Sequence, residues 1–468
     1  MRVSGIVSDA DSTDKAGNAN HGDNVRHGCK ERLCMAEHTG MRQRKKHAEA
    51  GKQIPCTNKE AASYVEMGTR EYGKDAHIMN FHLLEQYLDS LEEEYGIPGL
   101  DMIVTKDHRE VFRRSVGFAD TQRTRPVSDR DFYMFYSCTK VVTMTAMMQL
   151  IEQGKAGLYD PVSRFLPEWA HMTVINADYK TREFNFSPKL SEPSHYARQQ
   201  VRIIDCMSMM AGLTYDLHSE AIEELLSKNP EATTREVVGA IARMPLLFEP
   251  GTHYKYSLGH DVIAAVIETV SGERYSDYLK AHIFDPLGIT DLTCHPTEEQ
   301  LARLSAMYVF DPKSQKMKLM EKPDNSFAIT PNYESGGAAL YGTMRAYAEV
   351  LDALANEGVG RNGVRILKKE SVLMFTHSVT TGQALQEFRV GRFLEYGYGL
   401  GVRVKTDSLL GHSPVGEFGW DGAAGGYGVV DPFQHVSIFY VEHILNFFEG
   451  YSVIHPRVRD LVYKGLNR

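Results

Sequence analysis

Tyr136-Ser137-Cys138-Thr139-Lys140 runs straight into Val141-Val142-Thr143-Met144-Thr145-Ala146-Met147-Met148-Gln149-Leu150-Ile151, and Gly154 closes the stretch. Over residues 138–153 apolar side chains fall on every face of a 3.6-residue helix, which predicts a helix buried all round. A lysine at the head of such a helix is costly to bury without a partner. Ser137 supplies one, because residues three apart share a helix face about one turn from each other. Serine is a weak nucleophile unless a neighbour takes its proton. Burial disfavours the charged form of an amine, which suits Lys140 to that task, and the helix amino terminus favours an oxyanion. The spacing alone carries little, since Ser12 and Lys15 repeat it. Its place at the start of the most apolar helix gives it weight.

Upstream, Phe81, Leu83, Leu84, Tyr87, Leu88 and Leu91 follow a helical period that Gly96-Ile97-Pro98-Gly99 ends. Residues 100–105 and 110–116 alternate on either side of the polar turn Lys106-Asp107-His108, predicting a β-hairpin. Downstream, helical patterns cover 219–228, 233–243, 260–271 and 275–284. Strand patterns return at 306–310, 398–404, 426–430 and 436–441, around helices near 343–356 and 453–465. The expectation is an α/β (α+β) chain. An antiparallel sheet flanked by helices is built from residues 77–156 and 301–468, and a helical domain, 157–300, is inserted between them. Residues 1–76 mix both charges with Gly, Asn, Ser and His and hold only Tyr64 and Tyr72 as aromatics, so they are expected to be a disordered tail.

The 468 residues are 42% hydrophobic, enough for a large core, and the formal net charge is −9. That balance argues against a nucleic-acid or anionic-membrane partner and for a small molecule. No apolar run reaches the length of a membrane span, and the first residues lack the apolar core of a signal peptide. Cys29, Cys34, Cys56, Cys138, Cys206 and Cys294 form no disulfide framework and no CxxC pair. A reducing cytoplasm fits best. The 19 histidines show no metal spacing, so neither metal nor cofactor is expected.

Two further segments can carry chemistry. In Gly251-Thr252-His253-Tyr254-Lys255-Tyr256-Ser257-Leu258, a turn before the helix 260–271, Tyr256 can shuttle a proton. Phe418-Gly419-Trp420-Asp421-Gly422-Ala423-Ala424-Gly425-Gly426 lets backbone approach a ligand closely, and an N–H on such an edge can serve an oxyanion hole. Gly411-His412-Ser413-Pro414-Val415-Gly416 nearly spells a nucleophile elbow, but its closing glycine comes one residue late, so Ser413 is read as a loop residue. Cys138 is read as a small core residue.

Ser-x-x-Lys at 137–140, Tyr-Ser-Leu at 256–258 and Trp-Asp-Gly at 420–422, in that order, resemble the serine β-lactamase-like hydrolases of the class C and penicillin-binding-protein type. Within that group the match looks closest to the family VIII carboxylesterases and related acyltransferases. Met209–Leu213, Asp285–Ile289 and Ser335–Leu340 resemble the family's supporting segments, and the resemblance runs from about residue 79 to 468. It implies a β-lactamase/transpeptidase-like fold, with Ser137 as nucleophile, Lys140 as general base and Tyr256 as proton relay. The backbone N–H groups of Ser137 and Ala423 would form the oxyanion hole, and Trp420, Asp421, Gly422 and Leu258 would bind substrate. Lactamase relatives usually carry Tyr-x-Asn and Lys-Thr-Gly. Leu258 and Trp420 replace the polar handles of those motifs here, which points to a cytoplasmic carboxylesterase, possible acyltransferase, over a lactamase or D-amino-acid peptidase. A non-catalytic binding module on the same fold is the alternative of another class. Asp421 stands where a small residue is expected, either facing solvent or disfavouring anionic substrates.

Overall fold

The computed structural model describes residues 79–181, 186–321, 323 and 326–467. The expected tail, residues 1–76, lies outside the described residues. Helix α1 (His82–Tyr95) buries Leu84, Leu88 and Leu91, one stripe of its surface, and stops where Gly96 turns left-handed at φ 71°. The hairpin follows as expected. Strands β1 (Gly99–Lys106) and β2 (Arg109–Gly117) are joined through Asp107 and His108, both at positive φ, the conformation of a tight turn that matches strand twist.

Five later strands complete an antiparallel sheet with them: β3 (Tyr396–Tyr398), β4 (Arg403–Lys405), β5 (Phe418–Gly419), β6 (Tyr427–Asp431) and β7 (Val436–Val441). The spatial order is β3-β4-β5-β6-β7-β1-β2, so β7 from the end of the chain pairs with β1 from its start, Asp101 opposite Val441. Residues 398–404, expected as one strand, are instead a reversal from β3 into β4. Gly399-Leu400-Gly401 makes the turn, with Gly401 at φ 80°.

Alternation along β1 sorts the core into two layers. Leu100, Met102 and Val104 pack with α1 and the carboxyl-terminal helix His455–Leu466, whereas Ile103 joins the layer of Phe439, Val441 and Tyr347. In that second layer lies α2 (Thr139–Glu152), whose residues from Thr139 to Leu150 are all buried. Beside it run α3 (Gly259–Ser271) and α4 (Met344–Ala355). Between residues 157 and 300 the chain is mainly helical but not throughout: Thr173–Ile175 pairs with Ser194–Tyr196 as a two-stranded ribbon inside a polar stretch. No helix among the described residues is long and apolar enough to cross a membrane.

Candidate active site

Ser137 sits in a single 3₁₀ turn, Tyr136–Cys138, that feeds α2. Its predecessor Tyr136 has φ 45°, rare for a residue with a bulky side chain, so the backbone makes a sharp elbow just before the serine. The turn is held from several sides. The Tyr347 hydroxyl donates to the Cys138 carbonyl at 2.8 Å, and the Leu340 N–H donates to Thr139 Oγ1 at 3.0 Å. Thr143 Oγ1 lies 2.5 Å from the Gly336 carbonyl and 2.6 Å from the Tyr275 hydroxyl.

The three residues expected to do chemistry converge. Lys140 Nζ lies 3.1 Å from Ser137 Oγ, and the Tyr256 hydroxyl donates to the same oxygen at 2.8 Å. Lys140 is fully buried, and its amine also donates to the Gly337 carbonyl at 2.9 Å and lies 3.5 Å from the Tyr215 hydroxyl. A side chain at Gly337 would bring its Cβ to 2.9 Å from Nζ, which is why a glycine stands there. Among the described residues no carboxylate lies within ion-pair distance of this amine. The rings of Tyr215 and Tyr256 stack with centroids 5.2 Å apart, and Trp420 also stacks on Tyr256 at 5.7 Å, its indole N–H donating to the Tyr256 hydroxyl at 3.3 Å.

Ser137 opens onto a cavity of about 400 Å³ lined by Tyr254, Tyr256, Phe388, Phe393, Trp420 and Tyr451, with Gly422 and Ala423 at the edge of β5. Neither the Ser137 nor the Ala423 N–H makes a hydrogen bond among the described residues. Gly422 is required where the strand passes the elbow, since a Cβ there would run into the Phe135 carbonyl. Cys138 is buried beneath this turn, and burial pushes its thiol well above the usual range, in keeping with a core role. Ser413 lies in the loop between β4 and β5, as read.

Two expectations are corrected. Leu258 is buried in the core at the head of α3 and is not among the cavity-lining residues, because its side chain completes the packing under the tyrosine turn. Asp421 lines the cavity as expected of a substrate-side residue, but of its two readings the solvent-facing one is excluded: it is buried, and its carboxylate is held by Arg403 at 2.7 Å and by Arg392. Burial alone would raise this carboxyl, but the two guanidinium groups hold it below the usual value.

Sequence reasoning missed four participants. Asp261 was readable as an acid at the head of a helix whose next six residues are all apolar. It lies buried, accepting from Tyr333 at 2.7 Å and Ser335 at 2.6 Å, and burial raises its carboxyl. Tyr215 lies two residues beyond the segment 209–213. Arg392 and Tyr451 carry no local signal at all.

The family model described as Beta-lactamase matches residues 84–455. Protein Rv1367c of Mycobacterium tuberculosis is 27% identical over 335 residues, 70% of this chain and 80% of that protein. Esterase EstB of Burkholderia gladioli is 27% identical over 297 residues, 59% of this chain and 70% of its own length. Among solved structures, "EstCE1, a hydrolase with promiscuous acyltransferase activity" superposes with a TM-score of 0.65 at 23% identity, covering 82% of this chain and 98% of that one. These likenesses bear out the resemblance read from the three motifs and the β-lactamase/transpeptidase-like fold it implied.

Proposed function

The chain belongs to the beta-lactamase family, and from that premise we propose that it is a serine hydrolase of small carboxylic esters, working through an acyl-enzyme on Ser137. The observation that carries this reading is the meeting of Lys140 Nζ and the Tyr256 hydroxyl on Ser137 Oγ, at 3.1 and 2.8 Å. Lys140 takes the serine proton as Oγ attacks the ester carbonyl. The N–H groups of Ser137 and Ala423 receive the oxyanion, and the Tyr256 hydroxyl protonates the departing alkoxide. The Lys140 ammonium returns that proton to the Tyr256 oxygen, which resets both groups; Lys140 then takes a proton from an entering water as it attacks the acyl carbonyl and gives it to Ser137 Oγ as that oxygen leaves, releasing the acid. An alcohol entering instead gives acyl transfer.

Ester over amide chemistry is supported by an aromatic cavity wall where lactamase relatives carry polar handles, and by the esterase among the similar proteins. Free thiols at Cys138, Cys206 and Cys294 suit a cytoplasmic setting. Ser137→Ala and Lys140→Ala are expected to lower kcat/KM on p-nitrophenyl acetate by at least about 10³-fold. Turnover close to wild type in either variant would sink the reading.

A further inference from the structure

The turn after β5 (Phe418–Gly419) carries the Ala423 N–H, and its own backbone closes it: Asp421 bridges to Tyr427, and the Gly422 N–H donates to the Gly426 carbonyl at 2.8 Å. One side chain from elsewhere in the chain braces it as well. Tyr451, in the turn leading into the carboxyl-terminal helix, places its hydroxyl 2.9 Å from the Gly422 carbonyl and 2.6 Å from the Ala423 carbonyl. The Gly425 N–H points back at the same hydroxyl from 3.4 Å. The single phenol proton is shared between the two carbonyls that flank Ala423, and the phenol oxygen accepts from the Gly425 N–H. Its ring lines the cavity beside Ser137, and the Arg392 guanidinium covers that ring at 4.5 Å. Burial pushes the phenol well above its usual range, so it stays a donor.

The Gly422 carbonyl and the Ala423 N–H belong to the same peptide plane. In a trans peptide, and the described chain has no cis bond, they point in opposite directions. The Gly422 carbonyl accepts from the Gly425 N–H at 3.1 Å within the turn and meets the Tyr451 hydroxyl at 2.9 Å; this second hold aims the Ala423 N–H away from Tyr451, and neither it nor the Ser137 N–H is engaged by another described residue. Hydrogen bonding at a carbonyl oxygen also polarises the amide and strengthens its N–H as a donor.

We infer that Tyr451 is a positioning residue of the oxyanion hole, setting the direction and donor strength of the Ala423 N–H through the Gly422 carbonyl. This rests on the reading that Ser137 is acylated with Ala423 as an oxyanion donor. It makes Tyr451 act on the transition state and hardly at all on the bound ester, because a ground-state carbonyl draws less on the hole than an oxyanion does.

Tyr451→Phe keeps the ring in the cavity wall and removes only the hydroxyl. On p-nitrophenyl acetate kcat is expected to fall about tenfold with KM within twofold, a fraction of the 10²–10³-fold lost when a hole donor is deleted outright. Affinity for phenylboronic acid, whose adduct on Ser137 places a tetrahedral anion in the hole, should weaken by the same factor. The carbonyl stretch of a trapped acyl-enzyme should shift to higher frequency as the hole loosens. A loss carried by KM, or a loss of kcat with unchanged boronate affinity and carbonyl frequency, would overturn the assignment even if the variant melts lower. Failure of the underlying reading looks different: wild-type protein that neither turns over the ester nor labels on Ser137 with a fluorophosphonate.

Discussion

The two sides of Ser137 are built on opposite electrostatic plans. On the helix side Lys140 and Asp261, the two buried charges nearest Ser137, feel one another's charge but make no ion-pair contact among the described residues. Lys140 is held by Ser137, Tyr215 and the Gly337 carbonyl, and Asp261 by Tyr333 and Ser335. On the strand side charges are locked to charges. Asp421 sits between Arg403 and Arg392, Arg403 also faces Glu417 at 3.8 Å, and Glu395 is shared by Lys405 and Arg459. A group that changes protonation during turnover is poorly served by a fixed counter-charge, which would hold it in one state. Backbone that must keep still while an oxyanion comes and goes is well served by groups that cannot leave one another.

The largest test of that contrast is Asp421→Asn against Thr143→Val. The first leaves Arg403 buried beside a neutral partner, and breaking such a pair costs on the order of 3–5 kcal/mol. The second removes neutral hydrogen bonds to Gly336 and Tyr275 on the helix side, at about 1–2 kcal/mol. Urea unfolding of both should show the ratio. Equal losses would mean that the ion network is no more than another set of hydrogen bonds.

A second test concerns a carboxyl without a counter-charge on the strand side. Glu442 is buried behind the oxyanion turn, where a side chain on Gly425 would run into it. It accepts from Tyr440 at 2.8 Å, and burial raises it to about 8. Between the ordinary carboxyl value and that pH the folded chain holds a proton the unfolded chain has released. This contribution to stability is complete at low pH and is lost as pH rises through about 8. Melting temperatures measured from pH 5 to 8 should therefore fall in the wild type by an amount, on the order of a few kcal/mol in stability, that is absent from Glu442→Gln. Matching profiles would place Glu442 outside the network's energetics.

The same contrast explains what could be read from the sequence. Ser137, Lys140 and the all-round apolar helix lie within sixteen residues, so local period and spacing suffice to bring them together. Tyr256 and Trp420 were reachable only because short motifs recur in a fixed order. Arg392, Arg403, Glu417, Asp421 and Tyr451 come from separate strands and turns, and their pairing exists only once β3 to β6 have assembled. That is also why Asp421 was misplaced. A lone acid in a glycine-rich turn looks exposed until the two arginines that neutralise it arrive from 29 and 18 residues away. Leu258 failed for the opposite reason, since a motif position fixes where the backbone runs but not which way an apolar side chain turns.

The smallest expected effect lies at the outer lip of the strand side. Val390 lines the cavity but is 62% exposed, and Leu394 nearby is 61% exposed. Neither takes part in the ion network, so their contribution should appear in substrate choice and not in stability. Val390→Ser should leave the unfolding free energy unchanged within about 0.5 kcal/mol, as surface substitutions do. Turnover of p-nitrophenyl acetate, whose acyl group is too short to reach the lip, should stay within about twofold. For the hexanoate ester, each methylene resting on apolar surface contributes up to about 0.8 kcal/mol when fully buried. Only part of one or two would lie against Val390, so kcat/KM should fall about two- to threefold. A drop on acetate as large as on hexanoate would mean that the lip shapes the reacting centre itself. The division between a locked wall and a passive rim would then have to be redrawn to include Val390 with Tyr451 and Arg392.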